Sequence, residues 1–241
     1  MKLIVTESYE ESSRVAADLY KNIIEHKRNA LIGLATGSTP IGMYKCLVDD
    51  YKRGLIDFSD IRTVNLDEYE GLARGHDQSF GYFMDQHFFS KVNLKEENIF
   101  LVDGAADAVQ QEKRFNDFLQ NNKIDILILG IGNNGHIGFN EPNTYFTASV
   151  HRVELAEDTI KANARFFEKE SDVPRSAITM GMYGITTASK VILVATGAAK
   201  APAIKKLLES DHVDPQLPCS ILHICEDATV IIDQDLYDLT K

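Results

Sequence analysis

Nowhere in these 241 residues does an apolar run approach the roughly 20 positions needed to span a bilayer. A membrane-embedded protein is therefore not expected. Cysteine is scarce: Cys46, Cys219 and Cys225 form an odd set with no CxxC spacing. That argues against a disulfide framework and for reduced thiols in a cytoplasmic protein. Positive charge is also short, with 25 Lys and Arg against 36 Asp and Glu and a formal net charge of -11. Such a balance disfavours nucleic acid or an anionic membrane as partner. It leaves an anionic small molecule open, because screening over about 8 Å lets a local cluster of cations and amides decide. The opening MKLIVTESYEESS turns acidic too soon for a secretory signal. No linker, internal repeat or low-complexity tract interrupts the chain, so one domain over residues 1–241 is expected.

What is present is a regular alternation of strand-like and helix-like segments. KLIVTES reads as a strand, and Ser8 with Glu11 forms a capping box for a helix running to about Arg28. ALIGLAT and IRTVNLDEY read as the second and third strands, NIFLVDG as a fourth, and IDILILG as another after a polar helix between Asp107 and Asn121. SVHRVEL alternates like a strand, and DTIKANARFF reads as a helix capped by Asp158. KVILVATG with APAIKKLLES makes a further strand and helix, and CSILHIC and ATVIIDQD read as late strands before a short terminal helix. This order predicts an α/β fold with a largely parallel, Rossmann-like open sheet and helices on both faces.

Three strand ends carry chemistry, and in such sheets neighbouring carboxyl ends share one crevice. The richest is IDILILGIGNNGHIGFNEP, where a buried strand runs into a glycine- and asparagine-rich loop bearing His136 and Glu141, with Pro142 behind. Histidine can exchange protons near neutral pH. Its bland reading is a satisfied loop histidine; Glu141 in so constrained a segment favours function. GIGNNG matches GxGxxG formally, but Gly138 and Pro142 follow where a helix should open, so a dinucleotide site is rejected. ATGSTP, residues 35–40, offers Gly37, Ser38 and Thr39 before a helix, either as an ordinary cap or as a phosphate cradle. In NLDEYEG, Asp67 and Glu68 are adjacent, so on an extended chain only one of them faces a crevice. A solvated acidic turn is the alternative. Arg165 and Lys200 are each ordinary surface charges taken singly; together a guanidinium fork and a point charge suit a phosphate dianion.

Taken together, TGSTP, LDEYEGL, GNNGHIGFNEP, ANARFF and GAAKA, in that order along nearly the whole chain, resemble the glucosamine-6-phosphate deaminase (glucosamine-6-phosphate isomerase) family. The resemblance implies conversion of glucosamine 6-phosphate and water to fructose 6-phosphate and ammonia, with no metal or organic cofactor. It implies Asp67 as the base that moves a proton from C2 to C1. His136 would assist ring opening, oriented by Glu141, and Gly37, Ser38, Thr39, Arg165 and Lys200 would hold the phosphate.

Two departures from the family pattern stand out. Asn134 occupies a position where many relatives carry aspartate, so an acidic triad around His136 is not expected and Glu141 would serve alone. After NEP, His151 and Val153 stand where allosteric hexameric members carry basic residues, which implies an enzyme without that activation, more readily a monomer. The rival readings are a 6-phosphogluconolactonase-like hydrolase, whose loop is not expected to continue as FNEP, and a non-catalytic sugar-phosphate sensor, which would be expected to lose Asp67 or His136.

Overall fold

The structure is a computed structural model that describes residues 1–155, 160, 167, 169 and 172–241. Its centre is a sheet of seven parallel strands. In chain order these are β1 (Lys2–Thr6), β2 (Leu31–Leu34), β3 (Arg62–Asn65), β5 (Ile99–Phe100), β6 (Ile126–Leu129), β9 (Val191–Ala195) and β10 (Ala228–Asp233). Across the sheet they run β1-β10-β9-β6-β2-β3-β5. Every residue of β2, β6 and β9 is buried. Burial on both faces explains why LIGL, ILIL and VILVA are continuous apolar runs rather than alternating ones. The strand order reverses between β2 and β6: β3 and β5 extend one way, β9, β10 and β1 the other. A crevice at the carboxyl ends of β2 and β6 follows from that reversal.

Helix α1 (Tyr9–His26) starts as its sequence requires. The Ser8 hydroxyl accepts the Glu11 amide at 3.2 Å, and the Glu11 carboxylate reaches back to the Glu7 amide at 2.6 Å. Its buried face carries Ala16, Ala17, Tyr20 and Ile24, a helical spacing. Helices α2 (Ile41–Lys52), α3 (Phe80–His87), α4 (Ala108–Asn121), α5 (Met182–Thr186), α6 (Ala201–Glu209) and α7 (Gln234–Asp238) complete the described set. Among the described residues no helix is long and apolar enough to cross a membrane.

A second sheet changes the expected picture. IRTVNLDEY is not one strand: β3 ends at Asn65, and β4 (Asp67–Tyr69) pairs antiparallel with β8 (Ser176–Thr179), which pairs in turn with β7 (His151–Glu154). Leu66 is the corner. Its amide still donates to Leu34 of β2 at 3.2 Å, while its carbonyl accepts from Met180, beyond β8, at 2.7 Å. SVHRVEL does form a strand, but in this antiparallel sheet. CSILHIC is corrected from strand to a 3-10 helix, Pro218–Ile224. Pro218 cannot donate to a ladder and suits a helix start, and the Cys219 amide is taken by the Gly135 carbonyl at 2.9 Å. The expected helix DTIKANARFF, with Asp158 and Arg165, lies outside the described residues apart from Ile160 and Phe167.

At the opposite edge of the parallel sheet Asp125 ties β2 to β6. Its carboxylate accepts the Leu31 amide at 2.8 Å and the Lys27 ammonium at 2.7 Å. Lys27 is half exposed, so the ion pair contributes little beside the buried amide bond. Asp125→Ala is expected to cost about 1–3 kcal/mol, leaving the Leu31 amide unpaired, whereas Lys27→Ala should cost under about 1 kcal/mol. Urea unfolding of both variants checks this, and equal losses would contradict it.

Candidate active site

The crevice lies where the sheet order predicts. It encloses about 270 Å³ and is walled by residues 35–39 after β2, Leu66 and Asp67 at the corner, Phe80 on α3, and residues 130–132, 136, 138 and 139 after β6. Four separate stretches of sequence thus meet at one point.

Asp67 and Glu68 divide as the strand alternation requires. Both are buried, at 7% and 3% exposure. Asp67 faces the crevice and accepts no hydrogen bond from a described residue, whereas Glu68 points away and accepts three backbone amides. Burial, then the neighbouring Glu68 charge, pushes the Asp67 carboxyl up to about 8. A bare, desolvated carboxylate is a strong base for its type.

His136 presents its ring to the same space. The ring packs against Gly132, where a Cβ would stand 2.2 Å from Cε1, so only glycine leaves room. Its Nδ1 lies 3.1 Å from Glu141 Oε1 and 2.8 Å from Asn134 Oδ1, while the Asn134 amide donates to Glu141 Oε2 at 2.7 Å. Two acceptors at Nδ1 put the proton there, and the Nε2 lone pair remains for the crevice. Asn134 therefore joins Glu141 in holding the ring through its carboxamide, and Glu141 is the one acid at Nδ1 among the described residues. Burial works to raise the Glu141 carboxyl, but hydrogen bonding and attraction from His136, with help from Asn134, bring it below the ordinary range. Glu141 and Asn134 stand behind the ring rather than in the crevice wall.

The loop after β2 is shaped for an anion. Gly37 has φ 90°, a left-handed conformation that favours glycine, and a side chain there would project into open space. The amides of Gly37, Ser38 and Thr39 donate to no group among the described residues, and they sit just before α2. Tyr9, which carries no sequence signal for the task, braces this loop from α1. Its hydroxyl accepts the Gly42 amide at 2.8 Å and lies 3.1 Å from the Ser38 carbonyl and 3.2 Å from that of Thr39.

Lys200 ends the 3-10 turn Ala198–Lys200 that follows β9, at the same edge of the sheet, but it does not wall the crevice. It pairs with no carboxylate among the described residues, and burial lowers its proton affinity. Arg165 lies outside the described residues. Sequence reasoning also missed Phe80 and Phe139, which line the crevice with rings 6.1 Å apart and nearly parallel, beside Tyr69. Among the described residues no three His, Cys, Asp or Glu side chains gather to hold a metal ion.

Comparison with known proteins bears directly on this geometry. Residues 6–231 match the family model of glucosamine-6-phosphate isomerases and 6-phosphogluconolactonase. The chain is 46% identical to a glucosamine-6-phosphate deaminase of Thermoanaerobacter sp. (strain X514), covering 99% of this chain and 95% of that one. It is 43% identical to that of Clostridium perfringens (strain 13 / Type A), over the full length of both. A solved monomeric glucosamine-6-phosphate deaminase superposes with a TM-score of 0.94 at 39% identity, covering 99% of this chain and 100% of the other. The 6-phosphogluconolactonase of Thermotoga maritima gives 0.78 at 18% identity and shares the fold.

The contact between Gly132 and His136 is open to test. Gly132→Ala is expected to push the ring off its position and reduce kcat on the order of 10²-fold, the scale of a misplacement near 1 Å. In a His136→Ala background the same methyl has room, so it should have little further effect. Turnover of the single variant near that of the parent would count against the packing described.

Proposed function

Because the chain belongs to the family of glucosamine-6-phosphate isomerases and 6-phosphogluconolactonase, we propose from its site that it is a glucosamine-6-phosphate deaminase. It converts glucosamine 6-phosphate and water to fructose 6-phosphate and ammonia. The observation that carries this reading is the buried Asp67 carboxylate in one crevice with His136, beside a loop of amides, with neither the carboxylate nor the amides paired to a described residue. A lactone hydrolase needs no base of that kind to shuttle a carbon-bound proton. Full-length relatives at 43–46% identity bear the deaminase name, whereas the lactonase just cited stands at 18%.

The chemistry runs in three steps. His136, with Nε2 free and Nδ1 held by Glu141 and Asn134, moves the proton that accompanies opening of the sugar ring to the aldehyde. Asp67 then takes the C2 proton, made acidic by the adjacent C1 aldehyde; the enolamine forms as O1 gains a proton from water, to which the nitrogen gives one back as the imine forms. Asp67 returns its proton to C1, leaving an imine at C2. Water adds to that carbon and ammonia departs. A positioned base of this type contributes typically about 10²- to 10⁴-fold. The amides of Gly37, Ser38 and Thr39, with Arg165 and Lys200 as cations, hold the phosphate and so fix the reacting carbons. Residues 1–241 act as one cytoplasmic domain.

The test is production of ammonia and fructose 6-phosphate from glucosamine 6-phosphate, with unphosphorylated glucosamine a very poor substrate. Asp67→Asn should abolish nearly all turnover while leaving KM within a few-fold. Its stability supplies an independent reading. A carboxyl raised in the folded state binds its proton more tightly there than in the unfolded chain, so it destabilises the fold increasingly as pH rises from about 4 to about 8. Asp67→Asn removes that penalty, and its melting temperature should exceed the parent's by a margin that grows across this window. A margin independent of pH would refute the burial argument.

Activation by an acetylated sugar phosphate is not expected. Behind the histidine loop a separate cavity of about 280 Å³ includes His151, Arg152 and Glu154 in its wall. Arg152 is already engaged by Glu70 at 2.5 Å, by Glu154 and by the Ser176 hydroxyl at 3.0 Å. A phosphorylated effector needs available cations at its site. Without such coupling a monomer is the simplest working unit. Saturation curves should be hyperbolic with or without N-acetylglucosamine 6-phosphate; sigmoidal curves that this ligand makes hyperbolic would overturn the expectation.

A further inference from the structure

One buried carboxylate beside the reaction has no part in it so far: Glu68. It follows Asp67 on β4 and turns to the opposite side of the strand. Its Oε1 accepts the Tyr69 amide at 2.9 Å and the Phe80 amide at 3.0 Å, and its Oε2 accepts the Gly81 amide at 3.0 Å. Phe80 and Gly81 open α3, whose cap Ser79 takes the Tyr82 amide at 3.0 Å and the Phe83 amide at 3.1 Å. Glu68 thus fills the free amides at the start of that helix, where the helix dipole also favours a negative charge. Because Phe80 lines the crevice, its place there depends on the same carboxylate.

Glu68 is also the neighbouring charge that acts on Asp67 through the strand. The remaining groups around Asp67 are His136 from the loop after β6, with Glu141 behind it, the neutral Thr179 on β8, Phe80 on α3, and Ser38 and Thr39 from the loop after β2. Asp103, from the loop after β5, acts on Glu68. We propose that Glu68 is a positioning residue for the deamination: from behind β4 its carboxylate anchors Phe80 in the crevice wall and, through its charge, governs how tightly Asp67 holds a proton. Burial raises both carboxyls, but three amides stabilise the Glu68 anion and Asp67 has no such donor among the described residues, so Glu68 is the member of the pair that meets its neighbour as an anion. A base must hold the C2 proton long enough to return it to C1, and the adjacent anion strengthens that hold.

The inference rests on Asp67 being the base, and two readouts separate the claims. The first is a carbon-13 carboxyl titration of Asp67 in the substrate-free protein, assigned with Asp67→Asn. The second is the pH profile of kcat/KM. In Glu68→Gln both the Asp67 titration and the acidic limb of the profile should move about one pH unit lower, the scale expected of one nearby buried charge. Glu68→Asp keeps the charge but shortens the reach to α3, so kcat should fall while the acidic limb stays above that of Glu68→Gln. An Asp67 titration unmoved in folded Glu68→Gln overturns the inference alone. A titration that moves while the rate profile does not overturns Asp67 as base, the reading on which the inference rests. The parent protein gives a check independent of variant folding: Asp67 should titrate above the ordinary carboxylate range and respond as Glu68 ionises. A single step within the ordinary range overturns the proposal.

Discussion

Two backbone hydrogen bonds at Leu66 govern the site. The amide of this residue completes the parallel ladder with β2, and its carbonyl starts the antiparallel one beyond β8. Leu66 alone separates the two strands, so Asp67 leaves the corner already directed into the crevice that β2 and β6 open. A one-residue slip would exchange Asp67 and Glu68 between faces. The crevice would then hold the carboxylate that α3 requires, and α3 would lose the acceptor for its first amides.

From this corner follows a division of labour between two adjacent acids that differ only in surroundings. Glu68 meets three amides and a helix start; Asp67 is buried and meets no donor among the described residues. Leaving a buried carboxylate bare is unfavourable for folding and favourable for proton abstraction, a trade common at catalytic positions. The histidine loop solves the opposite problem. There Asn134 and Glu141 satisfy Nδ1 from behind, so that Nε2 alone is left to the crevice.

The fold by itself does not select the chemistry, since 6-phosphogluconolactonases share it at 18–20% identity. In this chain the crevice is lined and backed by the corner segment LDEY and the loop GNNGHIGFNEP. Both end at the strand edge beside the reversal, where loops vary without disturbing the covered sheet. The loop after β2, braced by Tyr9, presents amides that pair with no described residue, a geometry suited to an anion.

Periodicity and strand-end chemistry sufficed to read the parallel sheet, the capped helix α1, and the loops bearing Gly37, Asp67 and His136, because these depend on neighbours along the chain. The sequence also specified that Asp67 and Glu68 must face opposite ways, since alternation is a local property of extended backbone. It could not specify which of them faces the crevice, because that depends on where β3 hands over to β4. Nor could it reveal the second sheet, whose strands β4, β7 and β8 are distant in sequence. The 3-10 turn Pro218–Ile224 was hidden for a related reason: its apolar alternation imitates a strand, and only packing against Gly135 decides otherwise. Phe80 in the wall, Tyr9 behind the loop and the Asn134 carboxamide oxygen at Nδ1 are equally tertiary facts. Each depends on a contact whose partner comes from elsewhere in the fold, or on a loop closure that brings Asn134, Glu141 and His136 within hydrogen-bond reach.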